Sequence, residues 1–405
     1  MRSVDNSSPS SPFASLGRSI FSFRREQVHS TGSNPDPELL DSALESFHQQ
    51  VSARFLDLAS AGDDELLSIA WIHKLLDAYI CSYDEFRQIL VGNKESTARR
   101  PMEQMVNEFF DKSVKALDIC NAARDGIQKV RLWHKHLDIA MTALRSNHKT
   151  VVVGEAQFRR ARKALVDLSL QLLEEKDTSS PVPVLSRMNR SFGRHSLVKD
   201  HHPSQVHRPP QRSGHSRSLS WSVSRSWSAV KQLQSITNGL VPPRGNEVIA
   251  TNGLAIPLFT ISFVQAFVLW VLVAAIPCQD RGVNISFSAP RTAPWAVPLM
   301  ALHDRILEES KNRDRRNVNG LMKEIYQVER RMGHLTNLVD LAHFPLTDEQ
   351  RDEVEHEVEE LGRVSGALMN GLEPLEQQVR EMFRRIANCR AEVLELLCRR
   401  KNSVD

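Results

Sequence analysis

Several chemistries lack their usual carriers in these 405 residues. No Gly-x-Gly-x-x-Gly follows a strand pattern, no Gly-rich loop ends in Lys, and neither a His-Glu-x-x-His pair nor a Gly-x-Ser-x-Gly elbow is present. Dinucleotide, nucleoside-triphosphate, zinc-protease and α/β-hydrolase activities therefore have no motif to rest on. Cysteine is sparse: Cys81, Cys120, Cys278, Cys389 and Cys398 are scattered and form no Cys-x-x-Cys set. They read as thiols packed as small hydrophobes rather than as a disulfide framework or a metal site. Aromatic residues make up only 6% of the chain, and the net charge of +3 is small, which argues against a dedicated nucleic-acid binder. No apolar run follows Met1-Arg2-Ser3 and residue 2 is not Gly, so neither a secretory signal nor a myristoylation site is expected, and the chain is expected to begin in the cytosol. Alternating apolar and polar residues with β-branched enrichment are also missing, which leaves strands unsupported.

Charge is absent over one long interval, from Val248 to Gln279. Within it, residues 254–276 read LAIPLFTISFVQAFVLWVLVAAI, centred on Phe263, Phe267 and Trp270. About twenty apolar residues at a helical rise of about 1.5 Å span a hydrocarbon core of about 30 Å, so the segment is a transmembrane candidate. It is equally a candidate for a core helix, apolar on all sides because neighbours surround it. In the second case, stripes from both halves of the chain should pack on Phe263, Phe267 and Trp270. Flanking charge does not choose, because Arg244 precedes the segment and Arg281 and Arg291 follow it.

Elsewhere the signal is helical. Residues 1–35 are expected to be a disordered, Ser/Pro-rich tail with a basic-aromatic patch, SPFASLGRSIFSFRREQVHS. Asp36-Pro37 then supplies an N-cap and a first-turn proline. Leu40, Leu44, Phe47, Val51, Phe55 and Leu58 make one stripe, and a second helix capped by Asp63 or Asp64 carries Leu67, Trp71, Leu75, Tyr79 and Phe86. From Met102 to about Asn147 the register continues, in one helix or in two joined near Gly126, and a further helix carries Phe158, Ala161, Leu165, Leu168 and Leu172. These make an N-terminal helical bundle over 36–176. A C-terminal helical region over 297–401 follows the apolar segment, with a Thr347/Gln350 capping box and a boundary at Pro374. The expected fold is thus all-α, two helical-bundle regions joined by a linker and an apolar helix.

The linker, 177–246, is rich in Ser, Arg, His and Pro and too poor in large hydrophobes to offset its chain entropy, so disorder is expected. Arg217 precedes Ser220 by three residues and Arg225 precedes Ser228 by three, the spacing that basic-directed kinases prefer. The linker's basic residues lack interleaved aromatics for nucleic-acid stacking. His134 and His136, two apart on a helix, point about 200° apart and do not share a metal readily. The acidic run Asp348–Leu361 reads as a solvated face over a Val354, Val358 and Leu361 stripe, not as a catalytic carboxylate pair. No catalytic, cofactor-binding or metal residue is assigned, and no small-molecule substrate is expected.

The patch SPFASLGRSIFSFRREQVHS, the phrase LLSIAWIHKLLDAYICSYDEFRQIL, the Ser/Arg linker and the uncharged segment before an acidic helical C-terminus together resemble the plant BYPASS-related family, most closely its ROH-type branch. That resemblance implies a non-enzymatic cytoplasmic adaptor that binds the Exo-seventy subunit of the exocyst, in vesicle tethering and polarised secretion. It brings no catalytic residues with it. The alternative is a single-pass membrane scaffold with helical interaction domains, inserted through 254–276 and without an exocyst link.

Overall fold

The computed structural model describes residues 37–145, 154–177, 228–277, 285–314 and 320–401. Among them the chain is helical, without a strand. The helices are α1 (Pro37–Ala59), α2 (Ile69–Gly92), a single turn α3 (Lys94–Thr97), α4 (Met102–Leu144), α5 (Glu155–Asp177), α6 (Ala229–Thr237), α7 (Gly245–Ala250), α8 (Ala255–Ala275), α9 (Ala296–Asp314), α10 (Lys323–Leu341) and α11 (Asp348–Lys401). The basic-aromatic patch at 11–30, Cys278 and Ser220 lie outside the described residues.

The apolar stripes do what their spacing dictates. Leu44, Phe47, Val51, Phe55 and Leu58 of α1 are all buried, as are Trp71, Leu75, Tyr79 and Phe86 of α2. The start of α2 differs from expectation. Leu67 adopts a left-handed backbone, with φ of 63°, and reverses the chain before any helix can begin. Ser68 then caps α2, its hydroxyl accepting from the Trp71 amide at 3.1 Å. Asp63 and Asp64 instead reach Arg305 at 2.9 Å and Lys323 at 3.6 Å. The Thr347/Gln350 capping box opens α11 as expected, with reciprocal bonds of 3.2 Å.

The choice left open at Gly126 falls to a single helix, and the boundary drawn at Pro374 is absent. α4 runs unbroken for 43 residues through Gly126. That glycine marks a close approach, because a Cβ there would stand 2.6 Å from Ile276 Cγ2 and 3.0 Å from the Pro277 carbonyl. α11 runs 54 residues through Pro374. Pro374 and Asn370, whose carbonyl the proline leaves without its helical donor, are both exposed, so water can replace the missing bond.

Two bundles form, but each draws on both halves of the chain. In one, the C-terminal half of α4 packs with α5, α5 with α10, α10 with α11, and α11 back on α4. The α4–α11 pair is antiparallel, since Arg131 meets Glu373 and His134 meets Ser365. In the other, α1, α2, α4 and α6 surround α8, α9 lies on α1, and the C-terminal half of α11 runs alongside α2. The division into an N-terminal and a C-terminal bundle is therefore replaced by an interleaved one, because α4 and α11 are long enough to serve both bundles. Within the stretch read as linker, α6 is folded: Leu233 and Ile236 supply the apolar anchors that the Ser/Arg-rich part lacks.

Candidate functional site

The apolar segment has no lipid-facing side in this fold. From α1, Phe55 stacks edge-on against Phe267 with centroids 5.9 Å apart, and His48 Nε2 lies 3.1 Å from Thr260 Oγ1. From α2, the Tyr79 hydroxyl donates to Gln265 Oε1 at 3.1 Å. From beyond the segment, Trp295 packs on Phe263 at 5.1 Å, Phe287 lies 5.8 Å from Trp270, and His303 lies 4.9 Å from Trp270. Phe263, Phe267 and Trp270 are exposed by 1% or less, with both halves of the chain packed on them. By length and composition α8 remains the one described helix able to cross a bilayer.

The ends of α8 are tied into the protein as well. The Ala274 and Ala275 carbonyls, orphans of the last turn, accept from the Leu321 and Met322 amides at 2.9 and 3.1 Å. Gly320 makes this possible: its φ is +87°, and a Cβ there would come within 2.7 Å of the Ala275 oxygen. At the other end, Thr251 Oγ1 accepts from the Ala255 amide at 3.2 Å.

Burial sets the electrostatics. His48 is pushed down to about 4 by burial, against a smaller opposing contribution from its hydrogen bond with the Leu44 backbone. Cys120 and Cys389 are pushed up to about 12, mainly by burial, so both stay protonated thiols. Two carboxylates are buried with partners. Burial would raise Glu376, yet hydrogen bonds from Arg131 and Arg380 hold it below the usual carboxylate range. Glu357 accepts from Arg331 and meets His334 Nδ1, each at 3.0 Å. The acidic run at 348–361 is therefore not wholly a solvated face, because Glu357 sits on the α10 side of α11 and is only 2% exposed.

Of the two serines singled out in the sequence, Ser228 is described. It is the N-cap of α6, its Oγ accepting from the Lys231 amide at 3.3 Å, and it is 8% exposed. His134 and His136 diverge as their spacing requires, the first meeting Ser365 on α11 at 2.7 Å and the second Gln171 on α5 at 3.1 Å.

Sequence reasoning missed a cleft of about 430 Å³ between α2 and α11, lined by Asp84, Arg87, Glu381, Arg384, Arg385, Asn388 and Glu392. Its charges are largely paired: across the helices Arg87 meets Glu392 at 2.8 Å and Arg385 meets Asp84 at 2.7 Å, and within α11 Arg385 meets Glu381 at 2.6 Å. One carboxylate oxygen, Asp84 Oδ1, is buried without a hydrogen-bond partner. The signal was present as a polar stripe, charged at 381, 384, 385 and 392 with Asn388 among them, on one helical face, but nothing in sequence told which helix would face it. Paired acids and bases of this kind suit recognition of a mixed-charge polar surface. Among the described residues, no three His, Cys, Asp or Glu side chains are grouped to hold a metal ion.

These features define, among the described residues, a helical protein wound around a buried apolar helix, with ion pairs joining several of its helices and a charged cleft between α2 and α11. The family model described as Protein ROH1-like matches residues 8–397, and the chain belongs to that family. It is 45% identical over 389 residues to Protein ROH1D of Arabidopsis thaliana, covering 94% of this chain and 96% of the relative. To Protein ROH1A of the same plant it is 34% identical over 411 residues, covering 94% and 95%. No solved structure matches it.

Proposed function

We propose that the protein is a non-enzymatic cytoplasmic adaptor that binds the exocyst through its Exo-seventy subunit, in plant vesicle tethering and polarised secretion. The observation carrying this reading is membership of the ROH1-like family over nearly the whole chain, from residue 8 to residue 397. The fold is consistent with it in one further respect. The enclosure of α8 by helices from both sides of the chain supports it, since a tether on the cytosolic face of a membrane needs both bundles on one side. Recognition then falls to helix faces and to the α2–α11 cleft, where charge complementarity sets orientation and association rate.

The test is a quantitative pull-down of the full-length protein against purified exocyst subunits at physiological salt. Enrichment of the Exo-seventy subunit over unrelated helical-rod proteins is expected, and equal recovery of both would overturn the reading. The second reading, a single-pass scaffold, is favoured by the length and apolarity of α8. Recovery of the protein in carbonate-washed membranes, with no exocyst enrichment, would support that one instead.

A further inference from the structure

Ser228 joins two independent observations. In the sequence it follows Arg225 by three residues, within a basic stretch. In the fold its hydroxyl caps α6, the residue is 8% exposed, and the residues just after it, which a kinase cleft takes as an extended strand, are wound into helix. α6 is nine residues long, too short to stay helical in water without its neighbours. Leu233 and Ile236 seat it on α4 and α8, Lys115 reaches Ser235, and Lys112 donates to the Gly239 carbonyl at 3.1 Å. Those two lysine contacts set α6 antiparallel to α4 and carry Ser228 towards the middle of that helix.

We propose that Ser228 is a phosphorylation site gated and read by α6: a kinase reaches it only when α6 has left its seat, and the phosphate then prevents α6 from returning. The co-reactant is ATP. Its γ-phosphoryl group passes to Ser228 Oγ, the hydroxyl proton goes to the kinase's base, and ADP leaves. The product carries a charge of about −1.5 to −2 in place of a buried neutral hydroxyl. A phosphate at a free helix N-terminus is favourable, because the first-turn amides and the helix dipole face it. In the docked position that gain is opposed by removing a dianion from water, and that desolvation is the larger effect. Release of α6 uncovers apolar surface of α4 and α8, so one modification couples the Ser/Arg-rich stretch to the core around α8.

The experiment incubates full-length protein with a basic-directed kinase and ATP and follows Ser228 phosphate by mass spectrometry, with hydrogen exchange over 229–237 before and after. A synthetic peptide of residues 222–237 gives the ungated rate. Ser228 in the intact protein is expected to react at least about tenfold more slowly than in the peptide, because only the locally opened fraction reacts. Leu233→Ala should close much of that gap, and Lys115→Ala, which leaves the core intact, should narrow it in the same direction. Once phosphorylated, the 229–237 amides should exchange as freely as in the peptide. Equal rates in protein and peptide, retained protection of 229–237 after phosphorylation, or no reaction at Ser228 even in the peptide would each overturn the proposal. No exocyst component is needed, so its failure leaves the adaptor reading untouched.

Discussion

His48 shows how a single side chain on α1 reports the enclosure of α8. It faces Thr260 in a buried site, and burial lowers its pKa to about 4 from the ordinary 6.5. The folded state therefore resists protonation that the unfolded chain accepts. Stability contributed by the neutral ring is fully present above about pH 6.5 and is lost as pH falls towards 4, where the unfolded state gains a proton that the folded state refuses. At 1.36 kcal/mol per pKa unit, about 2–3 kcal/mol should disappear between pH 7.5 and pH 4.5. Denaturant midpoints of wild type and His48→Gln measured across that window check this. The variant should show a slope shallower by that amount, and parallel curves would mean that His48 titrates as an exposed ring.

Among elements, α8 is the one whose chemistry most separates a core helix from a span. Gln265 is 2% exposed and its Oε1 takes a hydrogen bond from Tyr79, also fully buried. Removing only the donor leaves a buried acceptor unsatisfied, whereas replacing both polar groups by apolar ones of similar shape does not. Tyr79→Phe should thus cost about 1–3 kcal/mol, and adding Gln265→Leu should recover most of it, a coupling that a double-mutant cycle on thermal or urea unfolding in detergent-free buffer measures directly. Equal and additive losses would mean that the two side chains do not share a core. The 254–276 segment itself was legible in the sequence, since an uncharged run of that length is a helix in either setting. Its surroundings were not. Stripe periodicity gives the face that Phe55, Tyr79 and Ile127 bury but not the partner they bury it against, and a glycine or proline reads as a break unless its neighbours are known. Gly126 was ambiguous for that reason, its use being the approach of Ile276 and Pro277, and Pro374 was misread because exposure of Asn370 was invisible. The cap of α2 was expected at Asp63 or Asp64 and falls at Ser68, because the left-handed turn at Leu67 leaves no composition signal.

At the scale of the whole molecule, α4 and α11 hold the two bundles together, and their pairing is fastened by a buried carboxylate. Glu376 of α11 is 2% exposed and is met by Arg131 of α4, with Gln128 donating to it at 3.3 Å. Neither half of the chain owns a complete core. Without residues 228–405, the first half loses α8 from between α1, α2 and α4, together with α11 from the flanks of α2 and α4. Each large side chain so stripped costs about 1.5–3 kcal/mol, and a net stability of about 5–15 kcal/mol cannot absorb more than a few such losses. Residues 1–227 expressed alone should therefore bind hydrophobic dye, melt without a cooperative transition and aggregate, and the 228–405 fragment should do the same. Co-expression from separate genes should restore a soluble one-to-one complex, because the break falls ahead of α6 and cuts no described helix. Size-exclusion chromatography and calorimetry of the two fragments, apart and together, check this. A monomeric 1–227 fragment with a sharp transition of its own would show instead that the N-terminal helices form the independent bundle their sequence periodicity suggests.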